Sequence, residues 1–162
     1  MGNKLERHEA YLSLGSNINP EHNLPEAIRL LAKYGQVQSA SSAWKSAPVG
    51  AAGPDFLNAA LLFSSRFEFH PLRREVLRPI EAQLGRERGP DKNAPRPIDI
   101  DIMIFDNKIH DPEIWSQAHL ALPLAEILPN LCHPESGQTI AAIADKLQGL
   151  GEITRQGLHL WP

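Results

Sequence analysis

The chain of 162 residues contains one cysteine, Cys132, so no disulfide can form within it. That excludes a small scaffold stapled by bridges and makes a reducing cytoplasm the expected setting. Long apolar runs are also missing, and no stretch approaches the length of a membrane span. The opening MGNKLERHEA lacks the apolar stretch of a secretory signal. Met1-Gly2 invites myristoylation, but Glu6 stands where that signal needs Ser or Thr. The seven histidines show neither HExxH nor a Cys/His ligand spacing, which leaves a structural zinc site without support. A surplus of one charge is lacking too: the net charge of −3 disfavours nucleic acid as a partner. No repeat, low-complexity tract or linker interrupts the chain, so residues 1–162 read as one domain. What is plentiful is apolar residues, at 42%, and prolines, of which there are fourteen. The first gives a globular core, and the second gives long ordered loops.

Residues 9–14 (EAYLSL) alternate and stop at Gly15, the mark of a first strand. A helix is expected to start at an Asn23 cap, with Pro25 in its first turn. Leu24, Ala27, Ile28, Leu31 and Tyr34 then share one face, and Gly35 supplies the stop. Residues 36–46 read as a second strand and 56–65 as a third. A second helix spans about Pro71 to Leu84, with Leu72, Val76, Ile80 and Leu84 on one face and Pro79 as a kink; Gly85 ends it. IDIDIMIF, 98–105, is the clearest strand, followed by a turn at Asp106-Asn107 and a last helix near 139–147. The order is βαββαβ with a C-terminal extension. It gives an α+β, ferredoxin-like fold: an antiparallel sheet with helices on one face.

Asp99 and Asp101 leave one face of their strand, while Ile98, Ile100 and Ile102 enter the core from the other. Paired carboxylates repel unless a cation or proton lies between them, and such hard oxygens suit Mg²⁺ beside phosphate. A bare DxD is more often a solvated face; what shifts the balance here is the loop before it. That loop carries Arg86, Arg88, Lys92 and Arg96, and guanidinium forks suit polyphosphate. Gly15-Ser16-Asn17 offers close backbone approach or simply a turn. Phe56 and Asn58 offer an aromatic face and an amide for a flat heterocycle, or a core Phe and an Asx turn. Glu81 reads by default as an exposed helix charge within reach of the Arg86 loop.

Together YLSLGSN, WKSAPVG with PDFLNAA, IEAQLGRER, KNAPRPIDIDIM and PLAEILPNLCHPESGQTI resemble the 6-hydroxymethyl-7,8-dihydropterin pyrophosphokinase family over nearly the whole chain. Ala94 stands where glycine is more usual. The resemblance implies transfer of pyrophosphate from ATP to the pterin hydroxymethyl group, with release of AMP. It implies that Asp99 and Asp101 hold two Mg²⁺ ions and that Arg86 and Arg96 contact the nucleotide phosphates, with Arg88 supporting the loop. It also places Glu81 and Ile102 at the nucleotide site. Ser46, Ala47, Pro48 and Val49 would line the pterin pocket, Phe56 would flank the ring and Asn58 would hydrogen-bond it. The partners implied are small molecules, with the chain a monomer or weak homodimer, cytoplasmic and touching neither nucleic acid nor membrane.

From His110 to Leu122 the chain reads HDPEIWSQAHLAL, several residues shorter than the family pattern. The family's ATP-contacting His has no equivalent; Gln117 falls where Arg is expected and His119 where a pterin-stacking Phe is expected. His119 would stack in its place, or Trp115 would move into the space. Two rival readings follow: a paralogue acting on a different pterin-like alcohol, and a non-catalytic module that binds ATP or a pterin.

Overall fold

A computed structural model describes residues 5–50 and 52–161. The elements in chain order are β1 (His8–Ser16), α1 (Pro20–Leu31), β2 (Gln36–Ala40), β3 (Trp44–Ser46) and β4 (Phe56–Ser65). A second helix, α2, runs without a break through Phe69–Pro71, Leu72–Leu77 and Arg78–Gln83. Then come β5 (Asp99–Phe105), β6 (Lys108–Ile109), a 3-10 turn (Pro112–Trp115), α3 (Ala118–Ile127), α4 (Ile140–Leu150) and β7 (Ile153–Arg155). The strands form one antiparallel sheet in the order β6-β5-β1-β4-β3-β7, with β2 beside β4.

The period of two along β1 buries Ala10, Leu12 and Leu14 beneath α1 and α2, together with Ile98, Ile100 and Ile102. This is the expected βαββαβ frame with its helices on one face. The C-terminal extension adds what the sequence reading left open. Helices α3 and α4 cover part of the second face, burying Trp44, Ala60 and Met103. The rest of that face stays open. There Gly15 lies opposite both Asp99 and Asn58, and Ser13 lies opposite both Asp101 and Ala60.

Several expectations need correction. Helix α1 begins before Asn23, with Pro20 in its first turn and Asn19 at φ 45°, a left-handed conformation that asparagine tolerates. Asn23 lies inside the helix, where its Nδ2 donates to the Ile18 carbonyl at 2.7 Å. Tyr34 lies beyond the helix and is 43% exposed, edge-on to Phe67. The strand expected over 36–46 is broken at residues 41–43. Ser41 stays tied to β4: its N–H donates to the Ala60 carbonyl at 2.9 Å and its Oγ accepts from Ala60 N at 2.8 Å.

In α2 the kink expected at Pro79 is instead a widened segment before it, where Arg78 N donates to Arg73 O five residues back. A π-turn makes room for the proline ring and for the carbonyl left without its usual donor. Gly85 ends the helix at φ 96°, and Asp106 and Asn107 make a left-handed hairpin turn at φ 46° and 66°, both as expected. Gly35 does not stop α1 by a left-handed turn; it lets the backbone pass close to β4. A Cβ there would lie 2.4 Å from Ser64 O and 2.7 Å from the Phe63 ring. Gly35→Ala is therefore expected to cost about 1–3 kcal/mol of stability, read as a lower urea midpoint. An unchanged midpoint would show that the chain relaxes there freely.

Candidate functional site

Two hollows open on the uncovered half of the sheet. The first, about 360 Å³, lies between α2 and the 86–97 loop and is lined by Arg73, Arg86, Arg88, Lys92 and Arg96. The second, about 380 Å³, lies between the 46–49 loop and the start of α3. They share Lys92, Arg96, Asp99 and Asp101, so the carboxylate pair stands on the boundary.

The first hollow is organised by ion pairs. Arg86 Nη1 donates to Glu81 Oε2 and Asp99 Oδ1, each at 2.6 Å, and to the Ile98 carbonyl at 3.2 Å. Arg96 Nη1 donates to the other Asp99 oxygen at 3.3 Å, and Arg88 Nη2 to Glu81 Oε1 at 3.0 Å. Glu81 Oε2 also accepts from Ile100 N at 3.1 Å. The expected exposed helix charge is thus wrong: Glu81 is 3% exposed and saturated by cations and an amide. Burial raises its pKa, against the Ile100 N–H and Arg86, which favour the charged form. For Arg86, burial opposes the charge, but Asp99 and Glu81 hold the pKa above its ordinary value.

Asp101 has no hydrogen-bond partner among the described residues and is open along part of its surface. The cleft walls still crowd its carboxyl; that burial, then Asp99 and Glu81, push its pKa up to about 6. Asp99 and Asp101 do leave the same face, as expected. Ile102, expected at the nucleotide site, has its side chain 6% exposed within the core and lines neither hollow. Being one residue out of phase with the aspartates, it faces α1 and α2.

The second hollow gathers Ser46, Ala47, Pro48 and Val49 along one wall, with Phe56 and Asn58 behind them. Gly15 forms part of its floor, where a Cβ would sit 3.6 Å from Asn58 Oδ1, in ordinary contact but inside the hollow. Asn17 does not approach a ligand site itself. It clamps the loops: its Nδ2 donates to Pro54 O at 3.3 Å and its Oδ1 accepts from Arg96 N at 2.8 Å. The opposite wall is Glu113, Gln117, His119 and Leu120. Burial lowers the His119 pKa despite Glu113 and Asp111, leaving a neutral ring at pH 7. Trp115 is not in this hollow; it packs edge-on against His133 at 4.9 Å. His110 stacks on Phe69 at 4.2 Å, away from the aspartates. Glu113 was not anticipated. Its signal was Asp111-Pro112, whose Asp111 Oδ1 accepts from Glu113 N and caps the 3-10 turn.

Comparison with known proteins bears on what this arrangement serves. A profile of the 7,8-dihydro-6-hydroxymethylpterin-pyrophosphokinase (HPPK) family matches residues 11–129. A 2-amino-4-hydroxy-6-hydroxymethyldihydropteridine pyrophosphokinase of Porphyromonas gingivalis is 31% identical over 78% of this chain and 94% of its own length. The Synechocystis protein of the same name is 30% identical over 86% of this chain and 76% of its own. A folate synthesis bifunctional protein of Arabidopsis thaliana is 35% identical, and there the chain spans 27% of the relative's length. Among solved structures, a Plasmodium falciparum HPPK-DHPS with pteroate aligns at TM-score 0.65 and 14% identity. That alignment covers 90% of this chain and 43% of the other, and it speaks to the fold alone.

Proposed function

This chain belongs to the 7,8-dihydro-6-hydroxymethylpterin-pyrophosphokinase family, and on that premise we propose that it moves the pyrophosphoryl group of ATP onto the hydroxymethyl group of 6-hydroxymethyl-7,8-dihydropterin, releasing AMP. The observation that carries this reading is the meeting of an arginine-rich hollow and a largely neutral one at a single carboxylate pair. Guanidinium groups match phosphate oxygens in charge and shape, while Phe56 and the Asn58 amide match a flat ring with polar edges.

The donor set fits Mg²⁺. Asp99 and Asp101 are hard oxygen donors side by side, and the Asp101 pKa, raised to about 6 by burial and then by Asp99 and Glu81, marks a carboxylate that a cation would stabilise. Among the described residues no third acidic, His or Cys side chain joins them, as suits an ion that completes its shell with phosphate and water. When bound there, Mg²⁺ supplies neutralisation of phosphate charge. The chain's own contribution is placement. Arg86 and Arg96 hold the nucleotide phosphates, Glu81 and Arg88 hold Arg86 and the loop in place, and Asn58 and Phe56 orient the ring. The alcohol oxygen would then bond to the β-phosphorus, its proton passing to water, as the bridging oxygen leaves with AMP. Such catalysis is mostly positioning and charge stabilisation. The chain acts as one catalytic domain of the cytoplasm, with ATP and the pterin as its partners; no helix among the described residues is long and apolar enough to cross a membrane.

The test is AMP release from Mg-ATP with and without the pterin, using Asp99→Ala as the blank. Pterin-dependent AMP that vanishes in the blank is the expected result. Pterin binding with no AMP would point to a binding module. The polar wall of Glu113, Gln117 and His119 supports a second reading, an alcohol with a more polar ring substituent. A panel of such alcohols in the same assay separates the two.

A further inference from the structure

We infer that Glu126, which lines neither hollow, is a positioning residue that sets affinity for the ring substrate by holding β3 against Asn58. This rests on the second hollow being the pterin site. Glu126 reaches from α3 to the break between β2 and β3 and to the first residue of β3: Oε2 accepts from Ser42 N at 3.1 Å and Ser42 Oγ at 3.0 Å, and Oε1 accepts from Trp44 Nε1 at 2.5 Å. Strand β3 is only three residues long, and so is its outer neighbour β7. Few ladder bonds therefore fix its register, and a charge-assisted tether at its start has leverage over it.

What β3 holds is the Asn58 carboxamide. Trp44 pairs with Asn58 across the sheet, and Asn58 Nδ2 donates to the Trp44 carbonyl at 3.0 Å and to Ser46 Oγ at 2.8 Å. A carbonyl can only accept, so the amide nitrogen must face β3, and both its protons are used. Oδ1 is left over Gly15 on the floor of the hollow. Asn58 can then offer the substrate an acceptor and no donor, which selects a ring edge that presents N–H. If β3 loosens, the amide is free to turn and to present its donors to that same edge.

The experiment is calorimetric titration of 6-hydroxymethyl-7,8-dihydropterin into protein saturated with Mg²⁺ and a non-hydrolysable ATP analogue, with the analogue's own affinity as the internal control. Glu126→Ala is expected to weaken the pterin about tenfold and the nucleotide less than about twofold. Glu126→Gln keeps an acceptor for Trp44 and a donor for Ser42 Oγ but loses the acceptor for Ser42 N, and should restore pterin affinity in part, to between the alanine variant and wild type. Should the alanine variant fail to fold, Ser42→Ala removes only the hydroxyl that donates to Glu126 Oε2 and is expected to weaken the pterin about threefold. A wild type that binds no pterin would overturn the functional reading together with this inference. A wild type that binds it, beside folded variants that bind it equally well or lose both ligands in parallel, would overturn only this inference.

Discussion

Asp101→Asn is expected to lower pterin-dependent AMP release about 10³-fold or more, equivalent to about 4 kcal/mol of transition-state stabilisation. The same change should make the ligand-free protein harder to melt at neutral pH. Both effects come from one placement. Asp101 shares the boundary of the two hollows with Asp99, but the guanidinium groups of Arg86 and Arg96 are spent on Asp99. The cleft walls bury its carboxylate, Asp99 and Glu81 add like charge, and its pKa rises from 3.8 to about 6. The folded protein holds this proton more tightly than the unfolded chain does. Its stabilising contribution is full below the unfolded value and is lost as pH rises through about 6. Asparagine keeps the shape and removes the charge, so the difference in melting temperature between variant and wild type should be larger at about pH 8 than at about pH 5. A difference of equal size at both would mean that packing rather than charge is responsible. Full activity in the variant would sink the role given to the carboxylate pair.

The elements legible in the sequence are those whose signal is local. β4 spans Phe56–Ser65 as expected, β5 begins one residue inside its expected start, and Gly85 and Asp106-Asn107 occupy the left-handed conformations their residue types favour. The shared face of Asp99 and Asp101 followed from strand geometry alone. The elements that escaped depend on partners far along the chain. Helix α3 (Ala118–Ile127) is apolar on nearly all sides and holds Pro123, so no amphipathic stripe announces it. It is buried by α4 and the sheet, which the periodicity of one segment cannot foresee. Glu81 looks like any helix carboxylate until Arg86, Arg88 and the Ile100 amide close around it. Glu126 and Trp44 are 82 residues apart, and nothing local joins them. A glycine after a helix usually marks its stop, but Gly35 is required by the backbone of β4 crossing close by.

Arg86→Ala is expected to be the most damaging substitution for the fold, at about 3–5 kcal/mol in urea unfolding, and to reduce AMP release as well. Its guanidinium lies between two carboxylates, one of them, Glu81, almost wholly buried. Without Arg86, Glu81 keeps Arg88, whose own side chain is 52% exposed, and the Ile100 N–H. A charge left in that position costs far more than the pair gains, because desolvation is no longer offset. The Glu81 pKa, already raised by burial, should rise further, so the variant regains stability on acidification and loses it as pH rises. Adding Glu81→Gln should recover most of the stability, since the glutamine oxygen still accepts from Ile100 N and no buried charge remains. It should recover none of the activity, because the cation facing the first hollow is still missing. An Arg86→Ala protein as stable as wild type would show that Arg88 and solvent suffice for Glu81. The double variant thus separates two duties of one side chain. Arg86 and Arg96 occupy both oxygens of Asp99. On the proposed function, a phosphate and its cation would give the guanidinium groups and Asp99 new partners, so the loss of these ion pairs on binding would be offset.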